Sequence, residues 1–123
     1  MAATRVTEKA ETPELPVVLV KWYDYAKWLL ERVEGFPKSQ RFVIGQRISN
    51  LALDVLEALV EATYARKKAE ALGRANRKIE LVRWMVRMAK DRGLLGASQF
   101  QFSAERLDEC GRMVGGWLKR AAT

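Results

Sequence analysis

The chain has 123 residues, about half of them apolar, and its 22 lysines and arginines outnumber 15 acidic residues to give a formal net charge of +7. It contains no histidine and one cysteine, which excludes histidine-based acid–base catalysis, most zinc sites and a disulfide within the chain. This composition predicts one soluble domain, and the lack of an apolar leader or a bilayer-spanning run favours the cytoplasm.

The first 16 residues are small, polar and charged, and we expect them to be disordered ahead of a bundle domain over residues 17–123. A first helix is predicted over residues 17–34, where apolar residues recur every three or four positions. Trp28 falls on the polar side of this helix. It either folds over its own helix or lies at an oligomer interface, because interfaces favour aromatic residues.

Residues 36–66 are predicted to form one long amphipathic helix that spans the domain, with the other elements packed along it. Gly45 lies within its second turn and costs about 1 kcal/mol relative to alanine. Gly45 therefore marks either a close approach of another backbone or a simple tolerance. Residues 65–71 are charged and form either a turn or a continuation of a helix.

A third helix is predicted over residues 74–92, with Gly73 as a break near its start. Seven basic and two acidic residues give this range a net charge of +5, most of the chain's +7. Arg83, Arg87 and Lys90 follow one another by four and three positions, so all three are expected to face water. This basic stripe is either a solvated face or a surface that attracts phosphates. Its predicted nucleic-acid-binding residues are Arg74, Arg77, Lys78, Arg83, Arg87 and Lys90.

An uncharged loop over residues 93–97 predicts a hairpin into a fourth helix, which starts at Ser98 or Ser103 and fades near residue 121. Three glycines in its interior are costly for a helix. We predict that they allow a neighbouring backbone to come close. The residues of this helix assigned to helix packing are Gly111, Gly115, Gly116 and Trp117.

Four amphipathic helices with short connections, and no strand pattern, predict an all-α fold: an antiparallel up-down-up-down four-helix bundle. The acidic clusters around Asp54 and Asp108 look like solvated helix faces, and Cys110 looks like a small core residue. No glycine-rich phosphate-binding motif occurs. We predict no catalytic residue, no metal site and no cofactor, so the protein is not expected to be an enzyme.

Three stretches together resemble one known family of four-helix-bundle proteins. They are FPKSQRFVIGQRI at residues 36–48, RAN at residues 74–76 and, most specifically, DECGRMVGGWLKR at residues 108–120. Over residues 17–120 the chain resembles the accessory variability determinant (Avd) of diversity-generating retroelements. Proteins encoded in intervening sequences of bacterial 23S rRNA genes belong to the same superfamily.

The resemblance implies a non-catalytic protein that forms a barrel-shaped homopentamer with a positive surface. It implies binding to the retroelement's reverse transcriptase and to template RNA, or an RNA/DNA hybrid, in support of error-prone cDNA synthesis. The basic stripe is not fixed residue by residue by this family motif. Arg112 does lie within the motif and is either held by a carboxylate or directed at RNA. The alternative is a protein of the 23S rRNA intervening-sequence type, with the same fold and an undefined RNA-related role.

Overall fold

The computed structural model describes residues 15–122, so the disorder predicted for the first 14 residues lies outside the described part. No strand occurs within residues 15–122, and the predicted all-helical fold is confirmed. A short helical turn, Lys38–Gln40, and a π-helical segment, Arg41–Gly45, precede the second long helix. The four long helices, consistent with a four-helix bundle, are α1 (Val17–Glu34), α2 (Gln46–Tyr64), α3 (Ala69–Asp91) and α4 (Ala97–Ala122).

Helix α3 begins at Ala69, before the predicted start at residue 74, so Gly73 lies inside the helix and its predicted role as a break is wrong. The charged stretch ahead of α3 is a tight turn closed by Lys68. The Nζ atom of Lys68 donates to three backbone carbonyls near the end of α2, at 2.8–3.3 Å. These bonds satisfy carbonyl groups that a helix end leaves without partners, which allows α3 to begin at once.

Helix α4 begins at Ala97, so Ser98 and Ser103, the two predicted start residues, both lie inside it. The helix start is stabilised from within the first turn instead. The Oε1 atom of Gln99 accepts a hydrogen bond from the backbone N–H of Gly96 at 3.0 Å, as the third residue of a capping box does.

A single hydrophobic core lies between the helices, and two buried polar contacts cross it. The Nε1–H group of Trp22 on α1 donates to the carbonyl oxygen of Ala52 on α2 at 2.9 Å. The hydroxyl groups of Tyr25 on α1 and Ser103 on α4 lie 2.6 Å apart. Burial raises the pKa of Tyr25 far above its usual value, so this hydroxyl stays protonated. Large fully buried apolar side chains come from all four helices: Trp22, Leu29, Ile48, Leu59, Leu72, Ile79 and Leu107.

The buried hydroxyl pair gives a direct test of this core. Ser103→Ala leaves the Tyr25 hydroxyl buried without a partner, and we expect it to lower the free energy of unfolding by about 1–3 kcal/mol. Tyr25→Phe alone should also destabilise, whereas the double change should recover much of the loss because both polar groups are gone. Urea denaturation of the three variants and wild type measures this coupling. Strictly additive effects would show that the hydroxyl groups do not interact.

The single helix predicted over residues 36–66 is interrupted, because a π-helical segment that was not predicted precedes α2 and ends at Gly45. Gly45 is buried, and a Cβ atom there would lie 2.8 Å from Cγ1 of Val33 and 3.4 Å from Cδ2 of Phe36. The structure therefore supports a close approach at Gly45 rather than a simple tolerance. The side chains of Phe42 and Val43 in the same segment remain exposed to 62% and 67%.

Candidate nucleic-acid interface

The predicted basic stripe of α3 does not form one solvent-facing surface, because two of its members, Arg74 and Lys78, turn towards α2. The guanidinium group of Arg74 pairs with Glu61 of α2 and, at 3.4 Å, with Glu70 on its own helix. The Nζ atom of Lys78 lies 3.0 Å from a carboxylate oxygen of Asp54 on α2. These two cations therefore join α2 to α3, and their charge is largely matched by neighbouring carboxylates.

Arg83 turns the other way, towards α4, and the prediction that it faces water is wrong. Its side chain is only 30% exposed and pairs with Asp108, while Nη2 donates to the carbonyl oxygen of Leu107 at 3.1 Å. Its Nε–H group also donates to Glu80, one turn earlier, at 3.1 Å. A Cβ atom at Gly111 would lie 2.8 Å from Nη2 of Arg83. Gly111 thus leaves room for this guanidinium group between α3 and α4.

Three members of the stripe remain directed outwards. Arg77 is exposed and makes no ion pair with any residue in 15–122. Arg87 is 65% exposed, and its Nε atom is 3.9 Å from Asp91, a distance typical of a loose surface pair. The Nζ atom of Lys90 lies 5.0 Å from the ring centre of Phe100 on α4. These three cations are the ones that a phosphate can reach most easily.

A groove of about 280 Å³ runs between α3 and α4 beside the outward cations. Trp84, which is 66% exposed, and Phe100 lie on its rim, and Arg87 lies next to Trp84. In the sequence only Trp84 stands among the basic residues, because Phe100 comes from the next helix. The fold thus combines aromatic and basic side chains, the pattern that single-stranded nucleic acids favour. Its lining residues are Glu80, Arg83, Trp84, Val86, Arg87, Phe100, Ala104 and Leu107.

The other glycines assigned to helix packing differ from Gly111. A Cβ atom at Gly115 would meet no atom within 4 Å, and one at Gly116 would lie 3.6 Å from Nη1 of Arg120 on the same helix. Within residues 15–122, no neighbouring helix comes close enough to require either glycine. The role of Gly115 and Gly116 in close packing therefore stays a prediction, which contact with another copy of the chain would fulfil. Trp117 is half-buried and packs against the edge of the core.

Trp28 lies in an aromatic cluster between α1 and α4, rather than folded over its own helix alone. Its ring stacks on Tyr25 at 6.0 Å and meets Phe102 of α4 at 4.7 Å between centroids. The guanidinium carbon of Arg32 lies 5.4 Å from its ring centre. Trp28 is half-buried by these contacts, and its role at an oligomer interface stays a prediction.

The acidic clusters that the sequence predicts to be solvated helix faces form ion pairs with basic side chains of other helices. Glu109 accepts from Nζ of Lys21 on α1 at 3.0 Å, and this hydrogen bond lowers the pKa of the carboxyl group. Arg112 is exposed and makes no ion pair within residues 15–122, although its charge contributes to lowering the pKa of the Glu109 carboxyl group. Within those residues no cluster of acidic and cysteine side chains has the geometry of a metal site.

Cys110 lies in the core, as the sequence predicts, and burial raises the pKa of its thiol to about 11. The nearby charge of Glu109 adds to this increase. The thiol is therefore protonated at neutral pH, when only a thiolate would be an effective nucleophile. Folding raises the pKa of the Cys110 thiol, so the unfolded chain loses this proton at a lower pH than the folded protein does. The folded state is therefore destabilised relative to the unfolded state as the pH rises from about 9 towards 11.

The described helices define an all-helical protein whose third long helix, α3, exposes basic and aromatic side chains. No helix within residues 15–122 is both long enough and apolar enough to cross a membrane. Residues 17–121 match the model of the bAvd-like family, so the chain belongs to that family. This match confirms the resemblance to Avd carried by the three sequence stretches. No curated protein matches the chain.

Proposed function

We propose that this protein is a non-catalytic, cytoplasmic accessory protein of a diversity-generating retroelement. It binds the element's reverse transcriptase and template RNA, or an RNA/DNA hybrid, and supports mutagenic cDNA synthesis. The observation that carries the proposal is membership of the bAvd-like family over residues 17–121. The net charge of +7 supports a polyanionic partner.

The outward cations of α3 supply the RNA-binding part of the proposed role. Arg77, Arg87 and Lys90 contact phosphates, while Trp84 and Phe100 line the adjacent groove. Phosphate contacts carry affinity without base sequence, so the protein accepts the varied sequences of a template. Arg74, Lys78 and Arg83 play a different part, because their carboxylate partners hold them between helices.

The proposed subunit is an antiparallel up-down-up-down bundle. The contacts that support this arrangement pair later residues of one helix with earlier residues of its neighbour. Lys21 of α1 pairs with Glu109 of α4, whereas Tyr25, later in α1, contacts Ser103, earlier in α4. The same reversal relates α2 and α3 in their ion pairs: Asp54 with Lys78 and Glu61 with Arg74.

The proposed assembly is a homopentamer. Large apolar side chains on α1 and α2 are about half exposed and supply surface for a neighbouring subunit to cover: Val20, Tyr23, Leu53 and Val60. Native mass spectrometry at micromolar concentration is expected to show five copies. A clean monomer of 14.0 kDa would contradict the assembly and weaken the proposed role.

Co-purification tests the proposed function. The tagged protein, expressed with the reverse transcriptase and template RNA of the retroelement beside its gene, is expected to retain both. The matched control is co-expression with a reverse transcriptase that does not come from a diversity-generating retroelement. That reverse transcriptase should not be retained by the tagged protein. If RNA is retained but no reverse transcriptase is, and no retroelement lies beside the gene, the alternative of a 23S rRNA intervening-sequence protein is favoured.

A further inference from the structure

A second surface, outside the stripe of α3, carries positive charge that no carboxylate within residues 15–122 pairs with. The lead-in segment, defined as residues 38–47, contains the exposed cations Lys38, Arg41 and Arg47. None of the three makes an ion pair with any residue in 15–122. The sequence from residue 35 to residue 53 contains no acidic side chain at all. The cations of this segment are therefore less compensated than Arg74, Lys78 or Arg83.

The same segment exposes an aromatic ring among these cations. Phe42 is 62% exposed, next to Arg41 and one turn after Lys38. Phe42 lies in the π-helical turn, in which the backbone N–H of Gln46 bonds to the carbonyl oxygen of Arg41, five residues earlier. Such turns add a residue to the helical repeat and occur frequently at functional sites. Arg47 follows Phe42 by five residues, about one turn of such a helix.

The turn is held in place by buried packing, so the backbone that carries the exposed ring has a fixed position. Gly45 lies against Val33 and Phe36, and both of those side chains are buried. The exposed and the packed side chains thus belong to one short, ordered stretch. A rigid platform loses little conformational entropy when it binds, which favours affinity.

We propose that the lead-in segment binds single-stranded nucleic acid, with an unpaired base stacked on Phe42 and with phosphates paired to Lys38, Arg41 and Arg47. The inference rests on the proposed RNA-binding function and adds a contact surface to it. Cations without carboxylate neighbours complement a polyanion, and an exposed ring flanked by cations is how proteins hold single strands. A duplex presents no free base faces along its length, so only single strands gain the stacking contact.

Fluorescence anisotropy with a labelled oligouridine, across a salt series, tests the proposal on the full-length protein. Phe42→Ala is expected to weaken binding about fivefold or more at every salt concentration, because stacking contributes about 1–3 kcal/mol per base. Phe42→Leu should weaken it similarly, because leucine keeps the apolar bulk but has no aromatic face. Val43→Ala, which truncates an equally exposed neighbour, is the matched control and should bind as wild type does.

The charges are tested separately. The triple change Lys38→Ala, Arg41→Ala, Arg47→Ala should flatten the slope of log affinity against log salt by up to about 2, at about 0.7 per phosphate on a single strand. Binding to duplex RNA should be insensitive to Phe42→Ala. All of these side chains are exposed, so circular dichroism melting curves should remain unchanged.

Three results would overturn the proposal, and they differ in what they mean for the proposed function. If Phe42→Leu binds as wild type does, or Val43→Ala weakens binding as strongly as Phe42→Ala, no base stacks on the ring of Phe42, while the proposed RNA-binding function stands. If every variant binds the oligouridine like wild type, nucleic acid is bound elsewhere and the proposed function stands. If the wild-type protein binds no oligouridine at low salt, the RNA-binding part of the proposed function fails as well.

Discussion

Replacing Gly45 with alanine is expected to lower the free energy of unfolding by about 1–3 kcal/mol, the usual cost of overpacking a core. The added Cβ atom would lie 2.8 Å from Cγ1 of Val33, a contact too short to persist. Val33 and Phe36 are both buried and have little space into which to move. The melting temperature should fall by several degrees.

Gly115→Ala is the matched control for Gly45→Ala, because both glycines lie in helical backbone. A Cβ atom at Gly115 meets no atom of residues 15–122 within 4 Å, so alanine should stabilise by up to about 1 kcal/mol through helix propensity alone. A destabilised Gly115→Ala variant would instead indicate that another copy of the chain packs there. A rise in melting temperature for Gly45→Ala would contradict the close approach at the π-helical turn.

The triple change Arg77→Ala, Arg87→Ala, Lys90→Ala is expected to flatten the salt dependence of RNA binding. Each phosphate of a single strand that the protein neutralises contributes about 0.7 to the slope of log affinity against log salt. Three lost contacts in a subunit therefore remove about 2 from that slope. Arg77 makes no ion pair within residues 15–122, and Arg87 has only a loose one. Measuring affinity for the template RNA at a series of salt concentrations checks this prediction.

Arg83 is left out of that variant because of its contacts with α4. Arg83→Ala would remove the partner of Asp108 and two further hydrogen bonds, so a change in RNA affinity could reflect altered packing of α3 on α4. The double change Arg74→Ala, Lys78→Ala is a better control. It removes cations that already pair with α2, and we expect a smaller change in slope per charge removed. Equal slopes for wild type and the outward triple variant would show that α3 is only a solvated face.

Helical periodicity predicts much of this fold from the sequence. Helix α1 has the predicted bounds, and all four helices contribute buried apolar residues to the core because a three- to four-residue repeat selects one face. The π-helical turn could not be predicted, because it lies ahead of α2, where few apolar residues precede it to reveal a shift in that repeat. Its only sequence signal is Gly45, which is also compatible with a tolerated glycine.

The candidate interface is less predictable than the core because it depends on contacts between helices. Periodicity places Arg83 on the polar side of α3, but its partner Asp108 lies on α4, 25 positions along the chain. Likewise, Phe100 meets Lys90 only after α3 and α4 pack together. The charge of a helix can be counted from sequence, whereas the share of it that stays available to RNA cannot.

We propose that this protein enables the reverse transcriptase of a diversity-generating retroelement to copy its template RNA. Reconstituted cDNA synthesis, with the reverse transcriptase and template RNA of the neighbouring retroelement, tests it most directly. We predict that cDNA carrying misincorporated bases forms only when this protein is added, and that the outward triple variant of α3 gives less product. Equal cDNA yield and equal error frequency with and without the protein would contradict the claim.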